Sequence, residues 1–120
     1  MNHKLVGRLA SSLVLGYDGR SVHFEHRAYE NRSEEQRAAY DRLRLDIEAN
    51  GVRDPLITWN NHILIGMRRY EIILDLYGPD YLVSCCQITE DVARWESDDI
   101  DRLMLFKSEL YQGREKEFMA

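Results

Sequence analysis

The residues best suited to chemistry lie at 66–71, where Gly-Met-Arg-Arg-Tyr-Glu follows the apolar run His62-Ile-Leu-Ile65. A strand that ends at a glycine and turns straight into a helix leaves first-turn amides without intrahelical partners. It also presents the positive end of the helix dipole, and together these make a generic anion site. Gly66 permits close approach of a ligand to the backbone. Arg68 and Arg69 fall in the first turn, where a positive charge opposes the dipole by about 0.3–1 kcal/mol. A bound phosphate would reverse that penalty, because charge-assisted hydrogen bonds contribute about 1.5–3 kcal/mol each. The competing reading is that both arginines pair with acidic neighbours such as Glu71 or Asp75, or are simply solvated.

Other candidate groups are sparser. Glu25 is a carboxylate near the expected pocket mouth, where a phosphoryl-transfer or hydrolytic mechanism would need a base, and its alternative is an exposed strand charge. His23, Glu25 and His26 do not make a metal site on an extended strand, since His23 and Glu25 face one way and His26 the other. No metal is therefore assigned. Trp59 and Tyr70 could stack on a base or belong to the core. Ser11-Ser12 lacks the spacing of a nucleophile and its base. Cys85 and Cys86 are adjacent within an apolar run and read as buried thiols rather than a disulfide framework.

These residues need elements to position them. Ser33-Glu-Glu-Gln36 is a capping box, Tyr40, Leu43 and Ile47 follow at helical spacing, and Asn50-Gly51 is a left-handed stop, so a helix is predicted over 33–50. Pro55–Trp59 and His62–Ile65 read as a hairpin around Asn60-Asn61. A second helix runs from Met67, with Met67, Tyr70, Leu74 and Tyr77 along one face, to Gly78-Pro79. Tyr81–Thr89 reads as a buried strand. Ser97-Asp-Asp starts a last helix whose apolar stripe is Ile100, Leu103, Met104, Leu110 and Tyr111.

The N-terminus is ambiguous. Leu5, Leu9 and Leu13 suit a helix, whereas Leu13, Leu15 and Tyr17 alternate as a strand does. A short N-terminal helix feeding a hairpin, turned at Asp18-Gly19 and continued by a strand at 21–27, fits both signals. The residues after Gly113 read as a frayed tail. The expected fold is a small mixed α/β (α+β) sheet with packed helices, one domain over residues 1–120 with its core over about 13–112.

Composition bounds the partners. A net charge of -5 argues against general DNA binding, which needs a clustered positive surface. The acidity is concentrated beyond Gln87, so the last helix is a candidate protein-contact surface. No apolar stretch is long enough to span a bilayer, and a cytoplasmic location without membrane association is expected.

The succession Leu43–Ile47, Asn50-Gly-Val52, Pro55-Leu-Ile-Thr58, a short turn, and Leu64-Ile-Gly-Met-Arg-Arg-Tyr-Glu71 resembles the N-terminal domain of the ParB/sulfiredoxin-like superfamily. Glu25-His26-Arg27 resembles that family's strand end, and the likeness covers residues of about 22–90. The resemblance implies phosphate contacts at Gly66, Met67, Arg68 and Arg69, with further contacts around Arg27. It implies a nucleotide such as CTP or ATP, with Mg accompanying it. Met67 stands where the partition proteins carry a glutamate and sulfiredoxins their catalytic cysteine. A thioether cannot be that nucleophile, so sulfiredoxin activity is excluded.

Three functions remain open from the residues. The first is binding of a nucleotide or other phosphorylated ligand. The second is a nucleotide-dependent small-molecule kinase or nuclease-like enzyme with Glu25 as its carboxylate. The third is a phage or mobile-element accessory protein that keeps the fold for protein contacts.

Overall fold

The computed structural model describes residues 1–17 and 29–111. It is a mixed α+β domain, as expected. The strands are β1 (His3–Leu9), β2 (Val14–Leu15), β3 (Leu56–Trp59), β4 (His62–Ile65) and β5 (Leu82–Ile88), and the helices α1 (Glu34–Asn50), α2 (Met67–Tyr77) and α3 (Ser97–Tyr111). One sheet has the order β1-β5-β3-β4-β2. The β1/β5 and β3/β4 pairs are antiparallel, and β3/β5 and β2/β4 are parallel. The parallel β3/β5 pair requires a crossover, which α2 supplies.

Period-2 alternation sorts neighbouring residues into two cores. Leu56, Ile63 and Cys85 pack with Met67, Tyr70 and Ile73 of α2, together with Ala10 and Leu13. Their successors Ile57, Leu64 and Cys86 go to the opposite face, against Trp95, Leu103 and Tyr111. The sheet is thus covered by α2 on one side and α3 on the other. A third cluster, Tyr40, Leu43, Ile47 and Ile72, seats α1 against α2. The adjacent cysteines consequently point to opposite faces, and both are free and buried.

Local chemistry sets the ends of these elements. Ser33 accepts a hydrogen bond from the Gln36 amide while the Gln36 side chain accepts from the Ser33 amide, the reciprocal box its spacing predicts. Such a cap contributes about 1 kcal/mol. Gly51 closes α1 with φ at 74°. Asn60 and Asn61 turn the β3–β4 hairpin with φ of 48° and 63°, the positive pair that a tight two-residue turn needs.

Three expectations are corrected. The N-terminus is not a helix, because His3–Leu9 pairs along its length with β5 and is followed by a short turn of helix at Ala10–Ser12. A leucine spacing of four is also a multiple of two, so it cannot separate the two periods. β5 is buried only in part, with Leu82 63% exposed. The inward stripes also differ: Ile72 and Ile73 are buried in α2 while Leu74 and Tyr77 are exposed, and Met104 of α3 is exposed. The expected turn at Asp18-Gly19, the strand at 21–27 and the tail from 113 lie outside the described residues.

Candidate functional site: the N-terminus of α2

The β4 strand ends at Ile65, and Gly66 caps α2 with φ 107° and ψ 22°, a left-handed conformation. A Cβ at this position would lie 2.6 Å from Leu56 Cδ2. Glycine is therefore required twice over, by backbone conformation and by space. The first helical bond runs from the Tyr70 amide to Gly66 O at 2.9 Å. The amides of Met67, Arg68 and Arg69 precede it and have no carbonyl to bond within the helix. Gly66, as the capping residue, has no side chain of its own to bond them.

The three side chains that follow separate in three directions. Met67 is buried among Leu56, Ile63 and Ile73, so it offers only its backbone to the outer face. Arg69 also turns inward. Its Nη2 lies 3.8 Å from Oδ2 of the buried Asp54, and its guanidinium sits over the Tyr111 ring, 4.5 Å from the centroid. The Tyr111 hydroxyl in turn donates to Pro55 O at 2.9 Å. Arg69 thus joins the start of α2 to the approach of β3 and the end of α3.

Arg68 alone among the three is turned toward the surface, and it is half-buried. Its pKa is lowered, first by burial and then by the nearby charge of Arg32, with Glu71 acting the other way. Arg32 is itself buried. Its Nη2 donates to both Glu71 oxygens, at 2.6 and 2.8 Å, and its guanidinium lies 5.2 Å from the Tyr40 ring centroid. The Arg32 carbonyl accepts from Arg37 Nη1 at 2.9 Å. Two guanidiniums and one carboxylate therefore gather at the positive end of α2, where the dipole disfavours a cation.

Of the sequence candidates, Gly66, Met67, Arg68 and Arg69 are contiguous in the site by their backbone. Glu25 and Arg27 lie outside the described residues, as do His23 and His26. Tyr70 belongs to the core, its hydroxyl donating to Ala10 O at 2.8 Å. Trp59 is half-buried in an aromatic group with Tyr17 and His62. Of the acidic neighbours, Asp75 pairs with Arg44, while Glu71 pairs with Arg32 and its charge also favours the Arg68 cation.

Arg32, Asp54 and Tyr111 are the site residues that the sequence did not disclose. Arg32 meets Glu71 across 39 positions of chain, and no local pattern encodes such a contact. Among the described residues, no group of three or more His, Cys, Asp or Glu side chains is placed to hold a metal ion. No described helix is long and apolar enough to cross a membrane. No protein-family model, curated protein or solved structure matches the chain.

Proposed function

We propose that this chain is a ParB/sulfiredoxin-like domain that binds a nucleotide or another phosphorylated ligand at the N-terminus of α2. The observation that carries the reading is the closeness of Arg32 and Arg68. Arg32 disfavours the charge of Arg68 beside a helix end that is itself positive, and a phosphate there would relieve both terms. The amides of residues 67–69 would supply backbone contacts, Arg68 the direct charge, and Arg32 a second charge held by Glu71. Arg69 would act from beneath, fixing the start of α2 through Asp54 and Tyr111.

Isothermal titration of the full chain with CTP, ATP, ADP, GTP and pyrophosphate, with and without Mg, tests the proposal. A ligand that binds only the folded state and is present at a hundredfold excess over its dissociation constant adds about 2.7 kcal/mol of stability. Melting in the same ligands gives an independent readout. Heat and melting shift from none of them would sink the reading.

A second reading, contact with another protein through α3, is favoured by Met104 and Leu105, which are 40% and 64% exposed on a helix rich in acidic residues. Loss of binding to a cellular partner on Leu105→Asp, with phosphate ligands inert, would select it.

A further inference from the structure

β1 is an edge strand, and its bonding pattern identifies which backbone groups face outward. In an antiparallel pair, residues that exchange hydrogen bonds with the neighbour alternate with residues whose amide and carbonyl point the other way. Ala10 N donates to Tyr81 O at 2.9 Å, and Thr89 N to Asn2 O at 3.0 Å, which puts the even-numbered residues in the bonded set. His3, Leu5, Gly7 and Leu9 therefore turn their backbone groups away from β5. No other strand among the described residues pairs with β1. Ser12 Oγ donates to Leu9 O at 2.7 Å, and Arg8 Nη1 approaches Gly7 O at 3.4 Å.

Leu5, Gly7 and Leu9 share a sheet face that α3 leaves bare beyond His3, whose ring meets Phe106 at 4.9 Å. Leu5 is 69% exposed, Leu9 48%, and Leu82, directly opposite Leu9, 63%. Leu5, Gly7, Leu82 and Ser84 line a shallow depression of about 310 Å³. Natural edges are blunted by proline, a bulge or charged side chains, lysine above all, and in β1 the charges are confined to one face. In β1 the register with β5 is unbroken and the cations Lys4 and Arg8 lie on the opposite face.

We propose that β1 pairs antiparallel with β1 of a second copy of this chain, about a two-fold axis at Gly7, to form one continuous sheet. The second copy is the occupant because the strand complements itself in this register. Leu5-x-Gly7-x-Leu9 reads the same from both ends, so Leu5 falls opposite Leu9 and Gly7 opposite Gly7. Leu82 lies over Gly7, where an added Cβ would come 3.2 Å from it, so only glycine at the axis leaves room for that side chain. Lys4 and Arg8 then face Ala10 and Val6, with no like charges directly opposed. A register centred on Val6 would instead set Lys4 against Arg8.

Sedimentation equilibrium of the full chain, from micromolar to millimolar, tests this. A reversible monomer–dimer equilibrium is expected, and Leu5→Lys should stay monomeric with an unchanged far-ultraviolet spectrum. Differently tagged Leu5→Cys and Leu9→Cys chains, mixed and oxidised, should give the mixed disulfide ahead of either like pair. A wild-type chain monomeric throughout, a Leu5→Lys dimer as tight as wild type, or faster Leu5→Cys self-coupling would overturn the proposal. So would a monomer whose Leu5 and Gly7 amide resonances shift only on adding an extended acidic peptide.

Discussion

The guanidinium of Arg69 lies 4.5 Å from the centroid of the Tyr111 ring, linking the first turn of α2 to the last residue of α3. The cation is held on its other side by Asp54, and all three residues are buried. An arginine that looks from its spacing like half of a ligand site is thereby part of what joins the two faces of the domain.

Arg69→Ala is accordingly expected to destabilise the fold, because it removes a buried cation that pairs with the Asp54 carboxylate and packs on the Tyr111 ring. Breaking a buried pair from one side costs about 3–5 kcal/mol. Urea melts of Arg69→Ala and of Arg69→Met with Asp54→Leu check this: the double variant should recover part of the loss. A single variant as stable as the parent would show that the pair contributes nothing.

Arg68→Ala should behave in the opposite sense. Removing a half-buried cation from a positive helix end should leave stability unchanged or raise it, by up to about 1 kcal/mol. The affinity for a phosphorylated ligand should fall about tenfold to a hundredfold, the equivalent of one charge-assisted contact. Calorimetric titration and a denaturant melt on this one variant measure both effects.

Gly66→Ala combines a positive φ with a Cβ 2.6 Å from a side chain that is itself fully buried. A destabilisation of about 1–3 kcal/mol is expected from the strained backbone. Ala at Gly51, where φ is also positive but nothing lies within 4 Å, supplies the comparison and should cost less.

Burial pushes the Cys85 thiol up from 9.0 to about 11, and Cys86 is raised for the same reason. The folded state therefore holds these protons more tightly than the unfolded chain. Their contribution to stability is fully present below pH 9 and is lost as pH rises from there to about 11. Tyr70, also raised by burial, acts in the same direction. Melts across that interval should show a steeper decline than those of Cys85→Ala. A thiol reagent at neutral pH should label both cysteines slowly until urea is added.

Much of the architecture was legible because its signals are local. Ser33 and Gln36 are three residues apart, the two asparagines of the hairpin are adjacent, and Gly66 follows directly on the strand it ends. Each element from α1 to α3 could be placed from such neighbours and from hydrophobic period, and the mixed α+β class follows from their order. The N-terminal strand was not legible, since leucines four apart satisfy both periods and only pairing with β5, nearly eighty residues on, selects one.

The site divides in the same way. That a glycine would open α2 with arginines behind it is written in consecutive residues, and the helix end and its dipole follow from backbone geometry alone. Which arginine faces outward was decided by tertiary packing. Arg69 and Arg68 differ by about 100° of helical rotation, enough to send one beneath the helix to Asp54 and Tyr111 and the other toward Arg32. Those partners come from distant segments, and the burial that makes one arginine structural exists only once the chain has folded.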